Sequence, residues 1–129
     1  MRMLHHISLP VANIEKSTAL YDAALSALGY RRVCSGKDFA GYGIEDGNDQ
    51  FAIKQINPST SAGPRFHLAF SAPSRKAVDQ FYEVALSNGA TDNGNPGLRK
   101  QYSPTYYAAF IIDLDGHRIE AVIDEANIN

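Results

Sequence analysis

The sequence predicts an α+β domain built from two βαβββ modules in one chain. Three observations predict it. A strand followed by a capped helix occurs in each half, short strand-like segments follow each helix, and a polar linker separates the halves. The first module is expected at residues 1–56, the linker at 57–64 and the second module at 65–129.

The two halves also align with each other. Superposing His67 on His6 gives an offset of 61 positions (67 − 6). At that offset residues of the same type coincide in both helices: Tyr21 with Tyr82, Ala24 with Ala85, Leu25 with Leu86 and Ser26 with Ser87. A repeat of this kind favours an internal duplication over coincidence.

In the first module, Leu4–Val11 is predicted to form a strand, and Asn13 can cap a helix that ends at Gly29. Turn residues then separate three short segments, which are therefore predicted strands: Tyr30–Ser35, Phe39–Glu45 and Gln50–Ile56. In the second module, a strand is predicted at Phe66–Ser71. Ser74 can cap the following helix, which ends at Gly89.

The stretch Thr91–Pro104 (TDNGNPGLRKQYSP) is rich in Gly, Asn and Pro, so it is predicted to be a long functional loop. The last element is a hairpin over Tyr106–Ile123, whose turn needs Gly116 in the left-handed conformation. That register pairs residues as follows: Asp113 with His117, Phe110 with Glu120 and Ala108 with Val122.

Composition limits the class of protein. The chain has 129 residues, a formal net charge of −2 and 44% hydrophobic residues, values that suggest neither a nucleic-acid partner nor a membrane. The N-terminus does not have the pattern of a signal peptide. Cys34 is the single cysteine, so no intrachain disulfide can form and a cytoplasmic location is expected.

Three residues stand out as candidate metal ligands because strand alternation places them away from the helices. His6 and His67 occupy equivalent positions in the first strands of the two modules, and Glu120 lies in the last strand. A carboxylate on such a face must be solvated, paired or bound to a cation. Three candidates on matching faces indicate a metal site.

These segments resemble the vicinal oxygen chelate superfamily, which includes glyoxalase I, extradiol dioxygenases, fosfomycin thiol transferases and bleomycin-resistance proteins. The resemblance rests on HISLPV at 6–11, FHLAF at 66–70 and DLDGHRIE at 113–120, and it extends over essentially the whole chain. It implies paired βαβββ modules around a divalent metal ion, which would be Fe, Mn, Zn or Ni, with ligands at His6, His67 and Glu120. Matching the two hairpin turns places Ala52, which cannot bind metal, at the position that corresponds to Glu120.

The resemblance implies chelation of a small, oxygen-rich substrate, with Glu120, Tyr102 and Tyr106 as candidate catalytic residues. Ala52 weakens the case for glyoxalase-like lyase chemistry, because that chemistry would require a second carboxylate at this position. Extradiol-type dioxygenase chemistry fits two His and one carboxylate, and Tyr102 or Tyr106 could supply a phenol. Candidate substrate-binding residues line the same faces or the predicted loop: Ser8, Arg99, Lys100, Ala108 and Phe110. Arg99 and Lys100 suggest an anionic substrate.

Two other functions remain open. A thiol transferase of the fosfomycin-resistance type is similar in length and ligands, but Ala108 and Phe110 replace its Ser and Tyr and no arginine follows Glu120. Metal-free sequestration of a drug, as in bleomycin-resistance proteins, would not need the His6, His67 and Glu120 set. A homodimer is expected, in which His6 and Glu120 of one site could come from different chains.

Overall fold

The computed structural model describes residues 3–57 and 61–127, which form two modules of one helix and four strands each. The first module contains β1 (Ile7–Val11), α1 (Ile14–Ala27), β2 (Arg31–Ser35), β3 (Phe39–Gly43) and β4 (Asp49–Gln55). The second contains β5 (His67–Ser71), α2 (Arg75–Ser87), β6 (Thr91–Leu98), β7 (Tyr106–Ile112) and β8 (Arg118–Asp124). A short 3₁₀ helix, Glu125–Asn127, follows β8.

The two sheets have the same topology, with strand orders β1-β4-β3-β2 and β5-β8-β7-β6. In each, the first strand runs parallel to the last and the other pairs are antiparallel. Ser8 of β1 pairs with Ala52 of β4 in the first sheet, and Ala69 of β5 pairs with Glu120 of β8 at the equivalent position of the second sheet. The predicted equivalence of Ala52 and Glu120 is therefore confirmed, and so is the α+β class with two βαβββ modules.

Both helices begin at the predicted caps. The Asn13 side chain accepts a hydrogen bond from the Lys16 N–H (3.0 Å), and the Ser74 hydroxyl accepts one from the Ala77 N–H (3.0 Å). Both helices end before a glycine with positive φ, Gly29 (93°) and Gly89 (97°). None of the helices within the described ranges is long and apolar enough to cross a membrane.

One core joins the modules. Its residues come from the helix-facing sides of both sheets and from both helices, which contact each other. Several of its large side chains are completely buried: Leu20, Ile53, Val78, Phe81 and Ile119. The rings of Phe51 and Phe70 meet edge to face across the module boundary, 5.1 Å between centroids. Burying each such side chain contributes about 1.5–3 kcal/mol.

The predicted hairpin register is confirmed. Phe110 pairs with Glu120 and Ala108 with Val122, and Gly116 has a φ of 88° in the turn. Two other predictions differ from the structure. β1 begins at Ile7 rather than Leu4. The segment predicted as a loop contains β6, which pairs with β7 through two irregularities of register around Gly94. Glycines with no Cβ permit those irregularities, so a sequence of low strand propensity still completes the sheet.

Candidate functional site

Glu120 is the centre of the candidate site. Its neighbours Ile119 and Ala121 belong to the core under the helix, so alternation along β8 turns Glu120 to the helix-free face of the second sheet. Phe110 lies beside it on β7 and Ala69 on β5. Glu120 is only 3% exposed, so its carboxylate needs partners within the protein.

Both carboxylate oxygens of Glu120 have a partner. Nε2 of His67 lies 2.5 Å from Oε1, and the Tyr106 hydroxyl donates to Oε2 over 2.5 Å. Burial, together with the hydrogen bond to Glu120 and its charge, raises the pKa of Tyr106 far above the ordinary value. Tyr106 is therefore a hydrogen-bond donor throughout the physiological pH range.

Further candidate residues lie on the same helix-free face. The rings of His67 and Phe110 are 5.9 Å apart, and Cζ of Arg99 lies 5.1 Å from the centre of the Phe110 ring. Tyr102, which is 63% exposed, packs edge to face against Tyr106 at 5.1 Å. Ala108 lies between Tyr106 and Phe110 on β7 and is fully buried. Most of the predicted site residues thus meet on one surface.

The remaining candidates lie elsewhere. His6 precedes β1 and is exposed, with Nδ1 2.9 Å from Nδ1 of His5. Ser8 is exposed on β1 of the first module, and Lys100 is exposed in the turn after β6. Within residues 3–57 and 61–127, no three His, Cys, Asp or Glu side chains lie close enough together to hold a metal ion. One chain therefore brings together two of the three expected ligands, His67 and Glu120.

A buried polar network outside the predicted site joins the two modules. Oδ2 of Asp113 accepts hydrogen bonds from the hydroxyl of Tyr21 (2.6 Å) and from Nδ1 of His117 (2.8 Å). Burial alone would raise the pKa of Asp113, but the bonds from His117 and Tyr21 outweigh it and hold that pKa below 3.8. Burial and the Asp113 charge raise the pKa of Tyr21. The DLDGH stretch signals the local pair Asp113 and His117, whereas nothing in the sequence signals Tyr21.

A groove of about 220 Å³ opens where the modules meet. Its wall includes Tyr30, Tyr42 and Phe51 of the first module and the β5 residues 68–71 of the second, but neither His67 nor Glu120. The hydroxyl of Tyr30 donates to the Ser71 carbonyl (2.8 Å), which fixes β5 against the first module. The groove thus adjoins the candidate site at Ala69, which pairs with Glu120, but its wall includes neither of the two expected metal ligands of this chain.

Residues 3–121 match the model of the Glyoxalase/Bleomycin resistance protein/Dioxygenase superfamily, so the chain belongs to that superfamily. It is similar over 94% of its length to 98% of a glyoxalase/bleomycin resistance protein from Albidiferax ferrireducens (30% identity, TM-score 0.80). At 20% identity it shares its fold with the fosfomycin resistance protein FosX from Listeria monocytogenes (TM-score 0.67; 95% and 93% of the two chains). Among proteins of curated function, none matches the sequence.

Proposed function

We propose that the protein is a metal-dependent enzyme that acts on a small, oxygen-rich molecule. The supporting observation is the contact between the buried Glu120 carboxylate and His67 on a sheet face that carries no helix. An imidazole nitrogen and a carboxylate oxygen are the donors that Fe, Mn, Zn and Ni sites use, so this pair fits such an ion. A divalent ion bound there would stabilise negative charge on substrate oxygens.

The third ligand is proposed to be His6 of a second copy of the chain in a homodimer. His6 is exposed, and two apolar residues that shortly precede it are exposed as well, Met3 at 96% and Leu4 at 63%. Exposed apolar residues beside an unused ligand fit a segment that a partner chain covers. The set of two histidines and one carboxylate would leave coordination positions for substrate.

Lyase and dioxygenase chemistry both fit the remaining groups. Tyr106 keeps its proton and donates it in a hydrogen bond to Glu120, and rotation of the hydroxyl would redirect this single donor to a substrate oxygen that approaches the carboxylate. Glu120 is the carboxylate that could move a proton, because Ala52 occupies the equivalent position in the first module. A base and a proton donor side by side suit a reaction that shifts a proton next to a carbonyl, which favours the glyoxalase-like alternative.

Metal-free sequestration of a small molecule is the second candidate function. It is favoured by one observation, the presence of two ligands rather than three within the described part of one chain. The two candidates differ in whether the purified protein takes up a divalent ion.

Metal uptake tests the proposal. The protein is stripped with a chelator, dialysed separately against Fe(II), Mn(II), Zn(II) and Ni(II), and its bound metal is measured by plasma mass spectrometry. We expect uptake by the parent and loss in His6→Gln, His67→Gln and Glu120→Gln, while His5→Gln, which removes the neighbouring imidazole, retains it. If the parent binds none of the four ions, sequestration replaces this proposal.

A further inference from the structure

The helix-free face of β6 has a trough made by two glycines. Gly94 lies opposite Phe110 on β7 and Gly97 lies opposite Ala108. A Cβ at Gly94 would come within 2.9 Å of Cδ2 of Phe110 and 3.2 Å of Nη2 of Arg99, and a Cβ at Gly97 within 3.2 Å of Nη1 of Arg99. The space that a side chain would occupy at Gly97 is therefore taken by the guanidinium of Arg99, and the space at Gly94 is taken by the Phe110 ring together with that guanidinium.

The guanidinium is held in this trough by two contacts. Its Nη2 donates to the Asn95 carbonyl over 2.6 Å, and its Cζ lies 5.1 Å from the centre of the Phe110 ring. One N–H of Nη2 is thereby used. Nη1 and Nε have no acceptor within the described residues, so their donors remain available.

Arg99 has no carboxylate partner among the residues that the structure describes. Three other arginines each pair with a carboxylate: Arg31 with Asp46, Arg32 with Asp22 and Arg75 with Glu125. Arg99 is half-buried, and no acidic side chain in the described ranges pairs with it. A fixed, partly desolvated guanidinium with free N–H groups is a strong receptor for a carboxylate or phosphate group.

The position of Arg99 connects this receptor to the candidate site. Phe110 contacts the Arg99 guanidinium and also the His67 ring, whose centroid is 5.9 Å away. The two groups are therefore no further apart than the sum of these two distances. A molecule that reaches both would extend across Phe110, with its chelating oxygens at His67 and Glu120.

We infer that Arg99 binds an oxyanion group of the substrate, so that the substrate is a small organic anion whose carboxylate or phosphate lies one aromatic ring away from its chelating oxygens. The inference rests on the proposed function only for the part of the substrate that would chelate the metal ion. Lys100 was predicted together with Arg99 to bind an anionic substrate. It is exposed and contacts none of these groups. Arg99 acts from the sheet face, not from a loop that closes over it.

Anion binding to the metal-free protein tests the inference without using the proposed metal. Sodium phosphate and sodium acetate are titrated separately, and binding is followed by the ¹H–¹⁵N signals of β6 and of the Arg99 Nε–Hε group. We expect at least one anion to bind to the parent and to bind roughly tenfold more weakly, or more weakly still, to Arg99→Gln, because a charge-assisted pair is lost. Gly97→Ala should also weaken binding, because its Cβ displaces Nη1. The matched control is Lys76→Gln, which removes the same charge from the exposed face of α2.

Binding of phosphate alone would identify a phosphorylated or phosphonate substrate, binding of acetate a carboxylate, and both outcomes support the inference. Absence of binding to the parent, parental affinity in Arg99→Gln or in Gly97→Ala, or an equal loss in Lys76→Gln would overturn it. Metal uptake is measured in the same variants. Anion binding without metal uptake in the parent leaves this inference standing and removes the proposed enzyme. Metal uptake without anion binding in the parent would overturn this inference and leave the proposed metal-dependent enzyme standing.

Discussion

Tyr21 and Asp113 are 92 positions apart in the chain, yet the hydroxyl of Tyr21 donates a 2.6 Å hydrogen bond to the carboxylate of Asp113 in the protein interior. Tyr21 belongs to α1 and Asp113 follows β7, so the bond joins the first module to the second. Both residues are almost completely buried. Their contact links the packing of the modules to the hairpin that carries Glu120.

Tyr21→Phe is expected to lower the free energy of unfolding by about 1–3 kcal/mol, because it removes a buried hydrogen bond to a charged group. The duplication offers a matched control at the equivalent helix position. Tyr82→Phe removes an exposed 3.3 Å contact with Asn95 and should change stability by no more than about 0.5 kcal/mol. Urea unfolding monitored by circular dichroism measures both variants. Equal effects would mean that the bond between the modules contributes nothing.

Acid is expected to destabilise the protein through Asp113. The pKa of this carboxyl is held below 3.8 in the folded state because the bonds from His117 and Tyr21 outweigh the effect of burial. As pH falls below the pKa of the unfolded chain, the unfolded state takes up the proton first. The stabilisation is therefore full above that pKa and is lost as pH falls through the folded pKa. Unfolding curves between pH 6 and pH 2 measure the slope, which should be smaller in Asp113→Asn.

Tyr106→Phe should destabilise the protein by about 1–3 kcal/mol, because it leaves Oε2 of the buried Glu120 carboxylate without its donor. Tyr102→Phe is the control: this neighbouring tyrosine is 63% exposed, and its hydroxyl makes no hydrogen bond to the described residues. Its loss should cost no more than about 0.5 kcal/mol. Thermal denaturation of the two variants compares them directly. Similar melting temperatures would contradict a structural role for the Tyr106 hydroxyl.

Mixing two defective chains can show whether each proposed metal site spans two copies. His6→Gln and Glu120→Gln are each expected to abolish uptake alone. A heterodimer of the two contains one site with both substitutions and one intact site, so unfolding and refolding an equal mixture should restore roughly a quarter of the parental uptake by random pairing. Failure to restore any uptake, with dimers present by light scattering, would show that His6 does not complete the site of its partner.

Local patterns predicted most of the fold. Asn13 and Ser74 cap their helices, and the hairpin register pairs Phe110 with Glu120, because caps and turns depend on residues close in sequence. β6 was not predicted, since Thr91–Leu98 has one β-branched residue, Thr91, and no aromatic residue, whereas such residues identify strands. It forms a strand because β7 beside it offers a free edge.

The parts of the candidate site that depend on strand alternation were predictable from the sequence. The parts that depend on how the modules pack were not. His67 and Glu120 were predicted on one face and lie in contact. His6 was predicted on the equivalent face of the other module, but its distance from Glu120 depends on how two modules, or two chains, are arranged. The alternation of residues along a strand does not reveal how modules or chains are arranged. For the same reason the contact of Tyr21 with Asp113 could not be predicted.

Ala52 and Glu120 occupy the same register position in the two sheets, so the first module carries a methyl group where the second carries a carboxylate. The cross-strand neighbours of Ala52 are both small residues, Ser8 on β1 and Gly41 on β3. The two halves of the chain are thus unequal at this position. Ala52→Glu would place a second carboxylate at the position in the first sheet that matches Glu120, within a strand arrangement that both modules already share.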